Sequence, residues 1–117
     1  MPKLIAQPTA IAVPGGKEIL EFIGVVNSGN SDVSVAKMVA PPNWSEPFQT
    51  PDFDEITLVL RGKVKVEHQA QETIVLAGQA IITKAGERIR YSTLDEETEY
   101  VAICLPAFSP QLVNREG

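Results

Sequence analysis

The stretch "EPFQTPDFDE", residues 46 to 55, gathers Glu46, Gln49, Asp52, Asp54 and Glu55 into one turn-rich segment. Carboxylates beside an amide oxygen can do two kinds of chemistry. They can hold a hard cation, with all-oxygen ligation favouring Mg, Ca or Mn, or they can move a proton where burial has shifted a pKa. The cation reading requires Glu46, Asp52 or Asp54 to turn inward and join Gln49 and Glu55. A solvated acidic loop explains the same residues with fewer demands and is the preferred reading. No cofactor is therefore expected, and a divalent ion, if held, would sit on Gln49, Glu55 and Glu46.

Glu55 stands apart from the other acids. It leads the strand face Glu55-Thr57-Val59, while Ile56-Leu58-Leu60 lines the other, so both faces are largely apolar. A carboxylate buried there calls for a cation, a hydrogen-bond donor or a raised pKa. Tyr91 is the expected donor, with Gln49 nearby, because alternation puts Ile89 and Tyr91 on one face and Arg90 on the other. Glu55 is thus the candidate general acid or base; the plain alternative is a satisfied hydrogen bond at a strand end. His68, the only histidine, lies at the far end of a strand beside a turn and is not expected to be catalytic. Cys104, in the apolar "VAICL", reads as a small hydrophobe. "AVPGGKEI" superficially resembles a phosphate loop but lacks the Gly-Lys-Ser/Thr ending and a following helix, so a turn explains it.

The elements that must position these residues are short strands. Nine prolines and eight glycines divide the chain into brief β-branched runs, and helical signals are weak. Strands are expected at 18 to 26, 33 to 40, 55 to 62, 63 to 68, 72 to 78, 79 to 86, 88 to 93 and 99 to 105, with the proline-rich "PPNWSEPFQTPD" as a structured loop or broken strand. In "KVKVEH", Val64 and Val66 should face a core while Lys63 and Lys65 face solvent. Close succession suggests that 55 to 62, 63 to 68 and 72 to 78 form a meander around the polar turn "QAQ". So many short strands read as an all-β barrel or jelly roll. In the tail, Phe108 should pack on the barrel before the chain frays.

At 117 residues with 44% apolar content, the chain suits one domain with a single core, about residues 18 to 106 plus extensions. The net charge of −5, with ten scattered Lys and Arg, offers no basic stripe for a phosphate backbone, so nucleic acid is not an expected partner. A lone cysteine, a polar proline-broken N-terminus and no long apolar run suggest a soluble, cytoplasmic protein without a signal peptide or membrane span.

These residues also resemble a family. Cupins are small jelly-roll barrels whose first motif runs Gly, five residues, His-x-His, three or four residues, Glu, six residues, Gly. Glu55 and Gly62 fit its end, whereas Gln49 and Pro51 fall on the two histidines and Asn43 on the opening glycine. In the second motif Gly78 and Gly86 match, while Lys84 replaces the proline, Ile89 the histidine and Thr93 the asparagine. The likeness covers about residues 33 to 106. Phe53-Asp54-Glu55, Val59-Leu60, Ala77-Gly78, Ile89 and Tyr91 are most similar to the ethanolamine-utilisation type. The resemblance implies an RmlC-like barrel in which only Glu55 remains of the usual three-His, one-carboxylate metal site. It also places Trp44 and Phe48 in the loop leading to the barrel mouth, with Met38 and Tyr100 on strands bordering it.

Three functions follow as expectations. The first is binding of a small organic molecule by Gln49, Glu55 and Tyr91, with Trp44, Phe48 and Met38 as lining or cover. The second is an enzyme, an isomerase, lyase or acetate-kinase-like activity as the resemblance implies, with Glu55 as acid or base; the chain shows no phosphate cradle. The third is a structural dimer module. An apolar outer face on "ITLVLRG" suggests a homodimer in each case.

Overall fold

The computed structural model describes residues 1–69 and 71–117. Among these residues the regular structure is nine strands: β1 (Thr9–Ile11), β2 (Glu18–Ile23), β3 (Ser34–Ala40), β4 (Asp54–Arg61), β5 (Lys63–His68), β6 (Gln71–Leu76), β7 (Ala80–Thr83), β8 (Ile89–Thr93) and β9 (Thr98–Leu105), plus one short helix, α1 (Pro110–Val113). All pairings are antiparallel, giving one sheet in the order β1-β2-β3-β9-β4-β7 and a second in the order β6-β5-β8. The expected all-β jelly roll is what the chain forms. No helix of the described residues is long and apolar enough to cross a membrane.

Alternation within each strand builds the interior. Val64 and Val66 are buried on β5, and their lysine neighbours point outward as expected. Val59, Val64, Val66, Val75, Ile89, Tyr91 and Tyr100 meet in one cluster between the sheets, with Trp44 closing it. A second cluster of Phe53, Cys104 and Val113 lies toward the C-terminal segment, with Phe108 set edge-on to Phe53 at 6.0 Å.

Three expectations need correction. Strands β4, β5 and β6 do not make a meander, because the chain changes sheets at Gly62: β4 pairs with β7 and β9, and only β5 and β6 form a hairpin. Gly62 has φ +81°, and a Cβ there would sit 2.7 Å from the Glu97 carbonyl oxygen and against Thr98. Gly62→Ala should therefore cost at least about 2 kcal/mol, from left-handed strain plus the clash, read as a lower urea midpoint. Next, β1 was missed as a strand: three residues between prolines carry no period, and pairing with β2, Thr9 opposite Glu21, supplies the order. Finally, the tail does not fray after Phe108. Thr50, Asp52 and Glu116 donate backbone N–H bonds that tie 112–116 to 48–52, and Asn114 ends α1 in the left-handed region at φ 52°. The expected turn at "QAQ" includes Ala70, which lies outside the described residues.

The outer face of the six-stranded sheet carries an apolar band, bordered by the charged pair Lys37 and Glu99. Register aligns Ile82, Ile56, Ile103 and Val35 in one row across four strands, with Leu58 and Val101 in the next. Ile82 is 64% exposed and Leu60 47%.

Candidate functional site

The sheets enclose a cavity of about 60 Å³, room for a few waters or a compact metabolite. A wider vestibule adjoins it, with Val13, Lys17, Ile19, Glu46 and Arg115 bordering both spaces.

Glu55 opens the inward face of β4, followed by Thr57 and Val59, and is 8% exposed. Burial raises its carboxyl pKa to about 7; the neighbouring Glu46 charge pushes the same way, while Lys17 and the Tyr91 hydroxyl favour the charged form. Tyr91 projects from β8 into the cavity, on the face that alternation gives it. Its hydroxyl exchanges a 2.9 Å hydrogen bond with Thr83 on β7, and burial, reinforced by the Glu55 charge, holds the phenol well above its ordinary pKa. Tyr100 shares this fate on β9.

Gln49 reaches the cavity on a backbone bridge to β8, Gln49 N–H to Ile89 carbonyl at 2.9 Å and the reverse bond at 2.8 Å. Its side-chain oxygen accepts a long 3.4 Å bond from Arg115. Met38 lines the cavity on β3 and is half-buried. Trp44 is buried in the core cluster, not a surface cover. Phe48 does not line the cavity: its ring lies under the guanidinium groups of Arg88 and Arg90, at 3.9 and 4.6 Å. Arg90 faces away from the interior and pairs with Glu67, as alternation requires.

The decisive groups that sequence reasoning missed are Lys17 and Arg115. Lys17 Nζ stands 3.8 Å from Glu46, with the two side chains only 8% and 9% exposed, and lies over the Trp44 ring at 4.3 Å and the Tyr100 ring at 5.4 Å from their centroids. Burial lowers the Lys17 pKa, opposed by Glu46 and Glu55; burial raises the Glu46 pKa, opposed by Lys17. All three groups are thus pushed toward their neutral forms. The available signal was alternation: extending the inward face of β2 backward from Glu21 and Ile19 reaches Lys17. The turn "PGG" precedes it, and Gly15, at φ +89°, packs against Trp44 so closely that a Cβ would sit 3.3 Å from the indole. For Arg115 no local pattern exists.

The solvated-loop reading holds for Asp52, which meets Asn114, and for Asp54, which accepts from the Ala85 N–H and faces Lys84. It fails for Glu46, whose side chain is buried against Lys17. His68 bonds Thr73 at the surface. Cys104 is buried, and burial, aided by the Glu55 charge, drives its thiol pKa far up, so it has no nucleophilic form.

The donor set does not fit the metal of the cupin fold. At the positions of its ligands stand Gln49, Pro51, Glu55 and Ile89, of which Pro51 and Ile89 offer no donor atom, and the cation facing Glu46 and Glu55 is the Lys17 ammonium. Among the described residues no three His, Cys, Asp or Glu are grouped to hold a metal.

Residues 28–109 match the family model of the ethanolamine utilisation protein EutQ. The chain belongs to the EutQ family. A curated relative, "Endoribonuclease YbeY" of Myxococcus xanthus, is 37% identical over 102 residues, covering 86% of this chain. The chain spans about a third of that protein's length, 35%. Among solved structures, a putative ethanolamine utilization protein Q from Salmonella typhimurium aligns over 87% of this EutQ-family chain and 98% of its own, with a TM-score of 0.63 at 21% identity. An RmlC-like cupin from Shewanella frigidimarina covers 94% of both chains with a TM-score of 0.76 at 11% identity. Both structures support the cupin fold.

Proposed function

We propose that this EutQ-family domain is a metal-independent cupin that binds a small polar organic molecule in the cavity between its sheets. The observation that carries this reading is the burial of Lys17, Glu46 and Glu55 together around that cavity. Burying several ionisable groups costs stability that an apolar core would not, and such clusters are characteristic of sites that handle ligands. Gln49, Tyr91 and Tyr100 add polar groups aimed inward, Met38 and Ala102 supply apolar wall, and Trp44 stands beneath the lysine. Phe48 has no part in it.

A panel of small metabolites tests this directly. Trp44 is the single tryptophan and lies against Lys17, so a ligand entering the cavity should change its emission and raise the melting temperature together. Glu55→Gln and Tyr91→Phe should each reduce both responses, and Phe48→Ala should leave them intact. A panel in which responses persist equally in Glu55→Gln would overturn the site assignment.

A second reading is catalysis at the same groups, favoured by a Glu55 pKa of about 7, which lets the carboxyl serve as acid and base near neutral pH. Turnover would then follow a pH profile bending near that value and vanish in Glu55→Gln. The homodimer belongs to either reading: the row Ile82, Ile56, Ile103 and Val35 is a surface that a symmetric second copy would cover. Leu58→Glu on that face should lower the sedimentation mass to that of a monomer while leaving the cavity untouched.

A further inference from the structure

We infer that Lys17 forms an imine with the carbonyl carbon of a small 2-oxo acid whose carboxylate is received by Arg115. This inference rests on the reading of the cavity as a ligand site and names the chemistry of its occupant.

The geometry supplies each part. Lys17 lines both the inner cavity and the wider vestibule, so it stands at the boundary between the two spaces. Glu46 lies at 3.8 Å and Glu55 acts on the same ammonium, so a proton leaving Nζ has a carboxylate to receive it. Burial favours that transfer, because a neutral amine beside a neutral acid is cheaper in an apolar site than two charges. The transfer prepares a nucleophile and a proton donor in one step.

Arg115 borders the same two spaces. Among the described residues it makes no ion pair, and its only side-chain bond is the 3.4 Å contact to Gln49, which leaves its fork available to a carboxylate. Glu21 also lines the cavity, but its carboxylate already accepts from the Val26 and Asn27 N–H groups, whereas the Arg115 guanidinium has no carboxylate partner among the described residues. The cavity volume limits an anionic ligand to a few heavy atoms.

The reaction balances without any further reagent. The Nζ lone pair forms a bond to the carbonyl carbon and the C=O π pair moves to oxygen, which takes the proton of the carboxylic acid. The nitrogen returns one proton to that carboxylate, giving a neutral carbinolamine. The acid then protonates the hydroxyl, the C–O bond breaks and water leaves as the nitrogen lone pair closes the C=N bond. The products are a protonated imine, a carboxylate and one water.

Reductive trapping tests this on the folded protein. Glyoxylate is the probe, glycolaldehyde the control that carries an aldehyde but no carboxylate, and cyanoborohydride reduces any imine formed, after which peptides are mapped by mass spectrometry. Exposed Lys84 reports the intrinsic reactivity of each probe. With glyoxylate, Lys17 should be modified about 10-fold or more faster than Lys84, a margin below what a positioned proton donor commonly supplies. That preference should fall with glycolaldehyde, in Arg115→Met and in Glu46→Gln, with Lys84 unaffected. Modification of Lys17 no faster than Lys84 overturns the inference. So does a glyoxylate-induced shift in Trp44 emission with no adduct on Lys17, and in that case the cavity reading stands. Equal preference for both aldehydes removes the 2-oxo acid assignment.

Discussion

Replacing Glu55 by glutamine should stabilise the protein at about pH 8 by on the order of 3 kcal/mol and change little at about pH 4. The sign follows from the direction of the shift. Below the ordinary carboxyl value of 4.5, Glu55 is protonated in both folded and unfolded chains and its burial costs nothing electrostatic. Between 4.5 and about 7 the unfolded chain releases its proton while the folded chain holds it, so stability falls as pH rises through this window. Above about 7 the carboxylate is charged in both states and the loss is complete. Glutamine keeps the shape and has no proton to lose, so the slope due to this residue disappears. Glu46 is shifted in the same direction and should leave a shallower residual slope. Urea unfolding of both proteins across this range makes the comparison, and parallel curves would show that Glu55 ionises as easily in the fold as in water.

Lys17→Met should destabilise the protein by about 3–5 kcal/mol at about pH 8, the cost of leaving a buried charge without its partner. Glu46 would lose the one ion pair it makes among the described residues, and the charge would also leave the face of Trp44. Toward acid pH the loss should shrink, because both carboxyls are held above their ordinary value and take up protons in the fold, where they then need no cation. Adding Glu46→Gln to Lys17→Met should restore part of the stability at about pH 8, a non-additivity that unfolding of the four proteins of the cycle measures. Strictly additive costs would mean that the two groups do not sense one another at 3.8 Å.

The depressed pKa of Lys17 bears on the alkaline limb in the opposite sense. A base held below its ordinary value binds fewer protons folded than unfolded, so its penalty fades as pH climbs toward 10.5. Stability of the native protein should therefore fall from acid to neutral pH and recover toward alkaline pH. Lys17→Met should remove the recovery, and Glu55→Gln the part of the fall between 4.5 and about 7 that this carboxyl causes.

How much of this was legible beforehand depends on the range of the interactions. Alternation within a strand is a local property, so Val64 and Val66 inside, Lys63 and Lys65 outside, and Tyr91 on the face opposite Arg90 could be read from neighbours in the chain. Glu55 was legible for the same reason: a carboxylate heading an apolar strand face has few places to go. Phe48 was misplaced because its position in a proline-broken loop carries no period, and the two arginines that it covers come from β8 and the turn before it. Glu46 looked like its solvated neighbours Asp52 and Asp54 because the difference between them is the presence of Lys17, some thirty positions earlier.

The sequence by itself determined the all-β class, the approximate strand positions, the cupin resemblance, and the loss of the histidine ligands. Each of these is written in residue type and short-range spacing. Only the tertiary structure decided what replaced the ligands. The change of sheet at Gly62, the return of the tail along 48–52 and the inward face of β2, extended back past its start, carry Arg115 and Lys17 to the cavity that Glu46 and Glu55 already face. Burial and charge pairing are sums over everything nearby, and nearness between residues 17, 46, 55 and 115 exists only once the chain is folded.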